Sequence, residues 1–228
     1  MPLKIVPQRD RKLHGLFEAG RAVIVSRGEP VYEAGSPAQE LFLVREGHVR
    51  LTIPPCGSDR DRTAAVAGPG EVFGTEALLA DGVRAYAARG GETAYLRAVS
   101  GREAFRSIRS ARKTLPRLLE ASLLDLARAR WPGAGGAGPP AAQRLADLLL
   151  ELAQRFGSVE EDRVRIPHWF THEELADLVG AHRSTVTTLL NEWIYEGLLE
   201  GSSNEIHVLR RTELAERASG REAWITGR

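Results

Sequence analysis

Cysteine and lysine are nearly missing from this chain, which has one cysteine, Cys56, and three lysines, Lys4, Lys12 and Lys113. A single cysteine excludes an internal disulfide and an iron–sulfur cluster held by the cysteines of one chain. Long apolar runs are missing too, since none reaches the ~18 residues of a membrane-spanning helix. The opening Met1-Pro2-Leu3-Lys4-Ile5 lacks the charged-then-apolar layout of a signal peptide, so a cytoplasmic protein that touches no membrane is expected. His14, His48, His168, His172, His182 and His207 form no ligand-spaced pair in the N-terminal half, and no metal site is expected. A nucleophile elbow, a phosphate-binding loop, a zinc pair and a carboxylate dyad at useful spacing are all lacking, so no catalytic residue is assigned and no enzyme is expected. Charge of one sign is lacking as well. The formal net charge is +1, so any affinity for nucleic acid must come from a local cluster of cations.

What the chain does contain, at 228 residues with 43% hydrophobic and 27% charged residues, suits two small globular domains with proper cores. From about Val23 to Val99 short extended runs alternate with glycine and proline. Val23-Ile24-Val25, Val31-Tyr32, Leu41-Phe42-Leu43-Val44 and Val49-Arg50-Leu51-Thr52-Ile53 predict strands, and Gly28, Gly35, Gly47 and Gly68-Pro69-Gly70 predict the turns of a β-sandwich or roll. Val72-Phe73 leads to a compact turn, Gly74 to Leu79, and Ala85-Tyr86-Ala87-Ala88 and Ala94-Tyr95-Leu96 close the domain. A short helix over Glu103 to Ile108 follows. Thr114-Leu115-Pro116 then opens a longer helix in which Leu115, Leu119, Ser122 and Leu126 keep 4-3-4 spacing, flanked by Leu118 and Leu123. That spacing is a two-helix seam, a dimer interface or else a face packed on the chain's own β-domain. The glycine- and proline-rich run from Trp131 to Pro140 reads as a hinge.

The second domain opens on an amphipathic helix, Ala141 to Phe156, with Leu145, Leu148, Leu149 and Leu152 on one stripe. Arg163-Val164-Arg165-Ile166 predicts a strand. Thr171 to Trp193 predicts two short helices around a tight turn: Thr171 is an N-cap with Glu174 completing a capping box, and Gly180 supplies the backbone that a helix end needs. Val186, Leu189, Leu190 and Trp193 recur at helical spacing and should be buried. The opposite face carries Arg183, Ser184, Thr187, Thr188 and Asn191, a set able to enter a DNA major groove. Leu198 to Leu209 predicts a hairpin that would make the motif winged, and Glu213 to Ala218 a short polar helix. The competing reading of the helix pair is a protein-interaction module, for which larger apolar side chains are expected on the outward face.

In order of parts the chain resembles the cyclic-AMP-receptor/FNR (CRP/FNR) transcription regulators. Tyr32-Glu33-Ala34-Gly35 with Leu41 to Leu51 resembles their opening β-roll hairpins. Pro69 to Gly74 with Ala77-Leu78-Leu79 and Arg84 resembles their phosphate-binding cassette, and Thr171 to Leu190 their helix-turn-helix. The resemblance implies an α+β protein: an N-terminal β-roll of the cyclic-nucleotide-binding type over 1–98, a helical linker and long dimerisation helix over 99–131, a hinge over 132–140, and a C-terminal winged helix-turn-helix over 141–228. It implies a homodimer on palindromic double-stranded promoter DNA, an activator working with RNA polymerase, with Gly157 to Asp162 in position to touch the polymerase. Arg183 would read a guanine edge, where a guanidinium fork meets O6 and N7. Thr171, His182 and Thr185 would sit near phosphates, with His172, Ser184, Thr187 and Thr188 on the same surface. The effector pocket would be Gly74, Thr75, Glu76, Ala77, Arg84 and Ala85. Here the sequence departs from the receptor's pattern. Thr75 stands where the receptor has a ribose-binding Glu, Glu76 comes one residue late, and Ala85 replaces the hydroxyl that follows the arginine. Losing two desolvated polar contacts, each on the order of 1 kcal/mol, argues against cyclic AMP as the effector. No cofactor is therefore expected, a cyclic-nucleotide-responsive regulator being the alternative; Arg84 could then hold a phosphate, or otherwise pair with a nearby carboxylate such as Glu76.

Overall fold

Leu41, Phe42, Leu43 and Val44 form the continuous apolar run of a strand that is covered on both faces, and this strand organises the N-terminal unit. In the computed structural model, which describes residues 15–53, 61–110, 139–167, 170–202 and 205–220, it is β3, Glu40–Glu46. Successive side chains of a strand point to opposite faces. Phe42 and Val44 therefore join a core with Val25, Val49, Leu51, Ala65, Phe73, Ala88 and Leu96, while Leu41 and Leu43 join a second one with Phe17, Val72, Ala77, Val99 and Ala104.

The unit is two four-stranded antiparallel sheets. One contains β1 (Arg21–Val25), β8 (Ala94–Ser100), β3 and β6 (Val72–Phe73) in that order. The other contains β2 (Pro30–Tyr32), β7 (Ala87–Gly90), β4 (Val49–Ile53) and β5 (Arg62–Ala67). This is the roll expected, with two differences. Strand β5 has no strong signal in its sequence, because Arg-Thr-Ala-Ala-Val-Ala has weak β-propensity; it forms because β4 pairs with it from Val49 opposite Ala67 to Ile53 opposite Arg62, with one register shift after Leu51. Strand β7 begins at Ala87, not Ala85, because residues 84 and 85 bond elsewhere: Arg84 N donates to Ser36 O at 2.9 Å and Gly35 N to Arg84 O at 2.9 Å. Between β6 and β7 lies a 3-10 turn, Thr75–Leu78. Helix α1 (Gly101–Ser110) follows β8. The proposed seam, Leu115, Leu118, Leu119, Ser122, Leu123 and Leu126, and hinge residues 132–138 lie outside the described residues.

The C-terminal unit is built on α2 (Ala141–Phe156), whose Leu145, Leu149 and Leu152 are fully buried. Its sheet has the order β11 (Leu199–Ser202), β12 (Glu205–Val208), β10 (Arg163–Ile166), β9 (Ser158–Glu160). Strand β9 lies within Gly157 to Asp162, where the sequence predicts no strand. It pairs with β10 through a two-residue turn in which Glu161 takes a φ of 52°, a left-handed conformation uncommon for a residue other than glycine. Helices α3 (His172–Val179), α4 (Arg183–Tyr195) and α5 (Arg211–Ala218) complete the unit. The tail helix is less polar than its sequence suggests: Leu214 is fully buried and Ala218 nearly so.

Candidate nucleic-acid interface

Helix α3 is fixed at both ends. Thr171 Oγ1 accepts the Glu174 N–H at 3.2 Å, and the Glu174 carboxylate accepts the Thr171 N–H at 2.8 Å, a reciprocal cap contributing about 1 kcal/mol. Gly180 ends the helix in the left-handed region, φ 62° and ψ 48°. A residue that sequence reasoning missed closes this turn. Arg144, on α2, donates through Nε to Val179 O at 2.6 Å and through Nη2 to Gly180 O at 3.1 Å, with Nη1 on Pro139 O. It satisfies carbonyls that a helix end leaves without partners. The partners at the end of α3 lie 35 and 36 residues away, and no local spacing announces them.

Helix α4 divides by face. Val186, Leu190 and Trp193 are buried and Leu189, expected with them, is only half-buried at the edge of that face, while Arg183, Ser184, Thr185, Thr188 and Asn191 are exposed. Its N-cap is His182, whose exposed ring makes no capping bond. Thr187 corrects the expectation of a wholly outward residue. It is half-buried, its hydroxyl donates to Arg183 O at 3.0 Å, and His172 Nδ1 lies 3.0 Å from the Thr187 Oγ1. One hydroxyl proton cannot serve two acceptors, so the proton between Thr187 and His172 belongs to Nδ1. The structure thus brings His172, Arg183 and Thr187 together and leaves Arg183, Ser184, Thr185 and Thr188 as the open edge. Strands β11 and β12 form the wing beside α4, paired from Leu199 opposite Val208 to Ser202 opposite Glu205.

The cassette in the N-terminal unit is arranged differently from a free anion site. Gly74 takes φ 75° and ψ 31°, and a Cβ on it would come within 2.6 Å of Arg84 Nη1, so glycine is required on both counts. Arg84 is only 4% exposed. Its Nη1 donates to Gly74 O at 2.9 Å and its Nη2 to Glu40 O at 2.6 Å, and its guanidinium carbon lies 4.0 Å from the Tyr32 ring centroid. Glu76 takes a third place, with Oε2 3.4 Å from Nη1 and Oε1 accepting the Ala85 N–H at 3.3 Å. Three donor interactions of the arginine are thus committed to groups of the chain itself. Ala77 is buried and belongs to the core cluster that contains Leu41, Leu43 and Val72. Thr75 is half-buried in the 3-10 turn.

Comparison with known proteins matches residues 143–217 to the Crp-like helix-turn-helix domain and residues 22–111 to the cyclic nucleotide-binding domain. A relative in Mycobacterium tuberculosis, described as a CRP-like cAMP-activated global transcriptional regulator, is 32% identical over 205 residues, 84% of this chain and 85% of its own. The chain belongs to the CRP/FNR family. Its members are DNA-binding transcription regulators, and this chain is one. The cyclic AMP receptor protein of Thermus thermophilus is 31% identical over 85% of this chain and 86% of its own. The crystal structure of a CRP/FNR-family transcriptional regulator, also from Thermus thermophilus, superposes with a TM-score of 0.66 at 26% identity, covering 88% of this chain and all of that one. Among the described residues no helix is long and apolar enough to cross a membrane.

In this regulator the His172 ring titrates below the ordinary imidazole value of 6.5, first because burial disfavours the cation and then because the Arg183 charge repels it. A histidine with a depressed folded value favours the folded state in its neutral form. Its contribution is complete above the unfolded value near 6.5 and is lost as pH falls through that value toward the folded one. The thermal midpoint of the C-terminal unit should therefore fall between pH 7.5 and pH 5.5. His172→Gln should flatten that slope relative to wild type. Identical slopes would show that His172 does not carry the effect.

Proposed function

We propose that the regulator acts as a homodimer on a palindromic promoter site, reads a guanine in each half-site with Arg183, and activates transcription with RNA polymerase without requiring cyclic AMP. The observation that carries the reading is the two-faced helix α4. Its first turn exposes one arginine flanked by Ser184 and Thr185, with Thr188 one turn on, while Val186, Leu190 and Trp193 hold the other face in the core. An arginine with short hydroxyl neighbours can enter a major groove, meet guanine O6 and N7 in two bonds and leave room for phosphate contacts from Thr171, His182 and Thr185. Two such helices across a dyad would address half-sites about 34 Å apart.

Support for independence of cyclic AMP comes from Arg84, which is committed to Gly74 O, Glu40 O and Glu76. The cyclic-nucleotide-responsive reading is favoured by the names of the Mycobacterium and Thermus relatives. For the polymerase, the hairpin of β9 and β10 offers an exposed apolar residue, Val159 at 79%, beside the Glu161–Asp162 turn. Selection of random duplexes by the full-length chain, with and without cyclic AMP, tests the reading. A palindromic motif enriched equally in both conditions is expected; enrichment only with the nucleotide would overturn the independence, and a non-palindromic motif the dimer.

A further inference from the structure

The guanidinium of Arg84 and the backbone N–H of Ala85 are neighbouring donors, and one carboxylate spans both. Glu76 gives Oε2 to Arg84 Nη1 at 3.4 Å and Oε1 to Ala85 N at 3.3 Å. Two oxygens of one anion bridging a guanidinium and an adjacent amide is the contact pattern by which proteins hold phosphate and carboxylate groups. The anion here belongs to the chain. Both sides of the contact are held in place. Glu76 sits in the 3-10 turn, where its carbonyl accepts the Leu79 N–H at 3.0 Å. Gly82 passes so close that a Cβ on it would come within 2.0 Å of that carbonyl oxygen. Arg84 is held from behind by Gly74 O and Glu40 O and packed over Tyr32. Its buried Nε has no hydrogen-bond partner among the described residues. No hydroxyl follows the arginine to compete for the same oxygens, since residue 85 is alanine.

We propose that Glu76 is a built-in anion that fills the position between Arg84 and Ala85 N–H which the phosphate of a phosphate-ester effector would otherwise take. The proposal rests on the reading of the β-roll as independent of cyclic AMP and gives that independence a cause. An incoming phosphate must displace a tethered carboxylate whose local concentration it cannot match, or else lie beside that carboxylate and bear like-charge repulsion. Ion pairing with Glu76 also leaves Arg84 with little net charge to offer a ligand. Removing the carboxylate should uncover a cationic cradle already shaped for an anion.

The test is calorimetric titration of the full-length chain with cyclic AMP and, separately, with inorganic phosphate, in the wild type, Glu76→Gln, Glu76→Ala and the double variant Glu76→Gln with Arg84→Gln. Glu76→Gln keeps a carbonyl oxygen for the Ala85 N–H while removing the charge and the acceptor that faces Arg84, and circular dichroism checks that each variant is folded. The expected result is that both single variants bind at least one of the two anions on the order of tenfold or more tightly than wild type, as relief of like-charge repulsion predicts, and that the gain disappears in the double variant. A folded Glu76→Gln that gains affinity for neither anion would overturn the proposal, as would a gain that survives loss of Arg84. Whether DNA selection needs cyclic AMP bears on the functional reading alone; the comparison between wild type and the Glu76 variants bears on this one.

Discussion

Arg183→Ala is expected to weaken binding to the selected operator by roughly 1–3 kcal/mol per half-site, the discrimination carried by one good arginine–guanine pair. On a dyad with two such contacts the loss doubles, to about 2–6 kcal/mol, if the half-sites are independent. The loss should be specific in character. Arg183 is exposed at the first turn of α4, so its removal leaves the core of the unit intact and the melting temperature nearly unchanged. Affinity for unrelated duplexes, which depends on phosphate neutralisation, should fall much less than affinity for the operator. Fluorescence anisotropy on the operator, on a duplex with the guanine replaced and on a random duplex would separate these effects. Arg183→Lys should recover phosphate attraction but only part of the guanine preference, because an ammonium lacks the planar fork. Equal losses on all three duplexes would remove Arg183 from the role of reader and make it a phosphate contact.

Trp193→Ala should lower the stability of the C-terminal unit by about 3–5 kcal/mol, the usual range for truncating a large aromatic side chain in a core. Trp193 is 2% exposed on the inner face of α4, with Val186 and Leu190 on the same face, and the Arg217 guanidinium lies 5.8 Å from its ring. Arg217 also pairs with Glu196 at 2.6 Å, so this side chain of the tail helix meets the end of α4 at two points. The chain divides into two compact units, so calorimetry should show the transition of the winged unit moving down while that of the β-roll stays. Operator binding should be lost with it at temperatures where wild type still binds. An unmoved transition would show that α4 does not depend on this face for its place in the unit.

Much of this was legible along the chain because it is local. The capping box of Thr171 and Glu174, the left-handed Gly180, the apolar stripe of α4 and the wing are set by neighbours within a few residues, and the structure contains each of them. The two-sided burial of β3 was likewise implicit in four consecutive apolar residues between turn signals. Elements with weak local preference were not legible. Strand β5 is rich in alanine and β9 is three residues long, and each exists only because a neighbouring strand offers a ladder.

The candidate sites divide in the same way. Two units, the family, and the exposed position of Arg183 beside small hydroxyl residues follow from local signals, because helical periodicity and cap chemistry leave one face of α4 free. The partners of the remaining polar groups come from packing. It turned Thr187 toward His172, reached Arg144 across from α2 to the carbonyls of Val179 and Gly180, and drew Arg84 onto the carbonyls of Gly74 and Glu40 with Glu76 beside it. Periodicity tells which face of an element is buried. The partner of a buried donor depends on where distant backbone carbonyls come to lie, and that is settled when the elements pack.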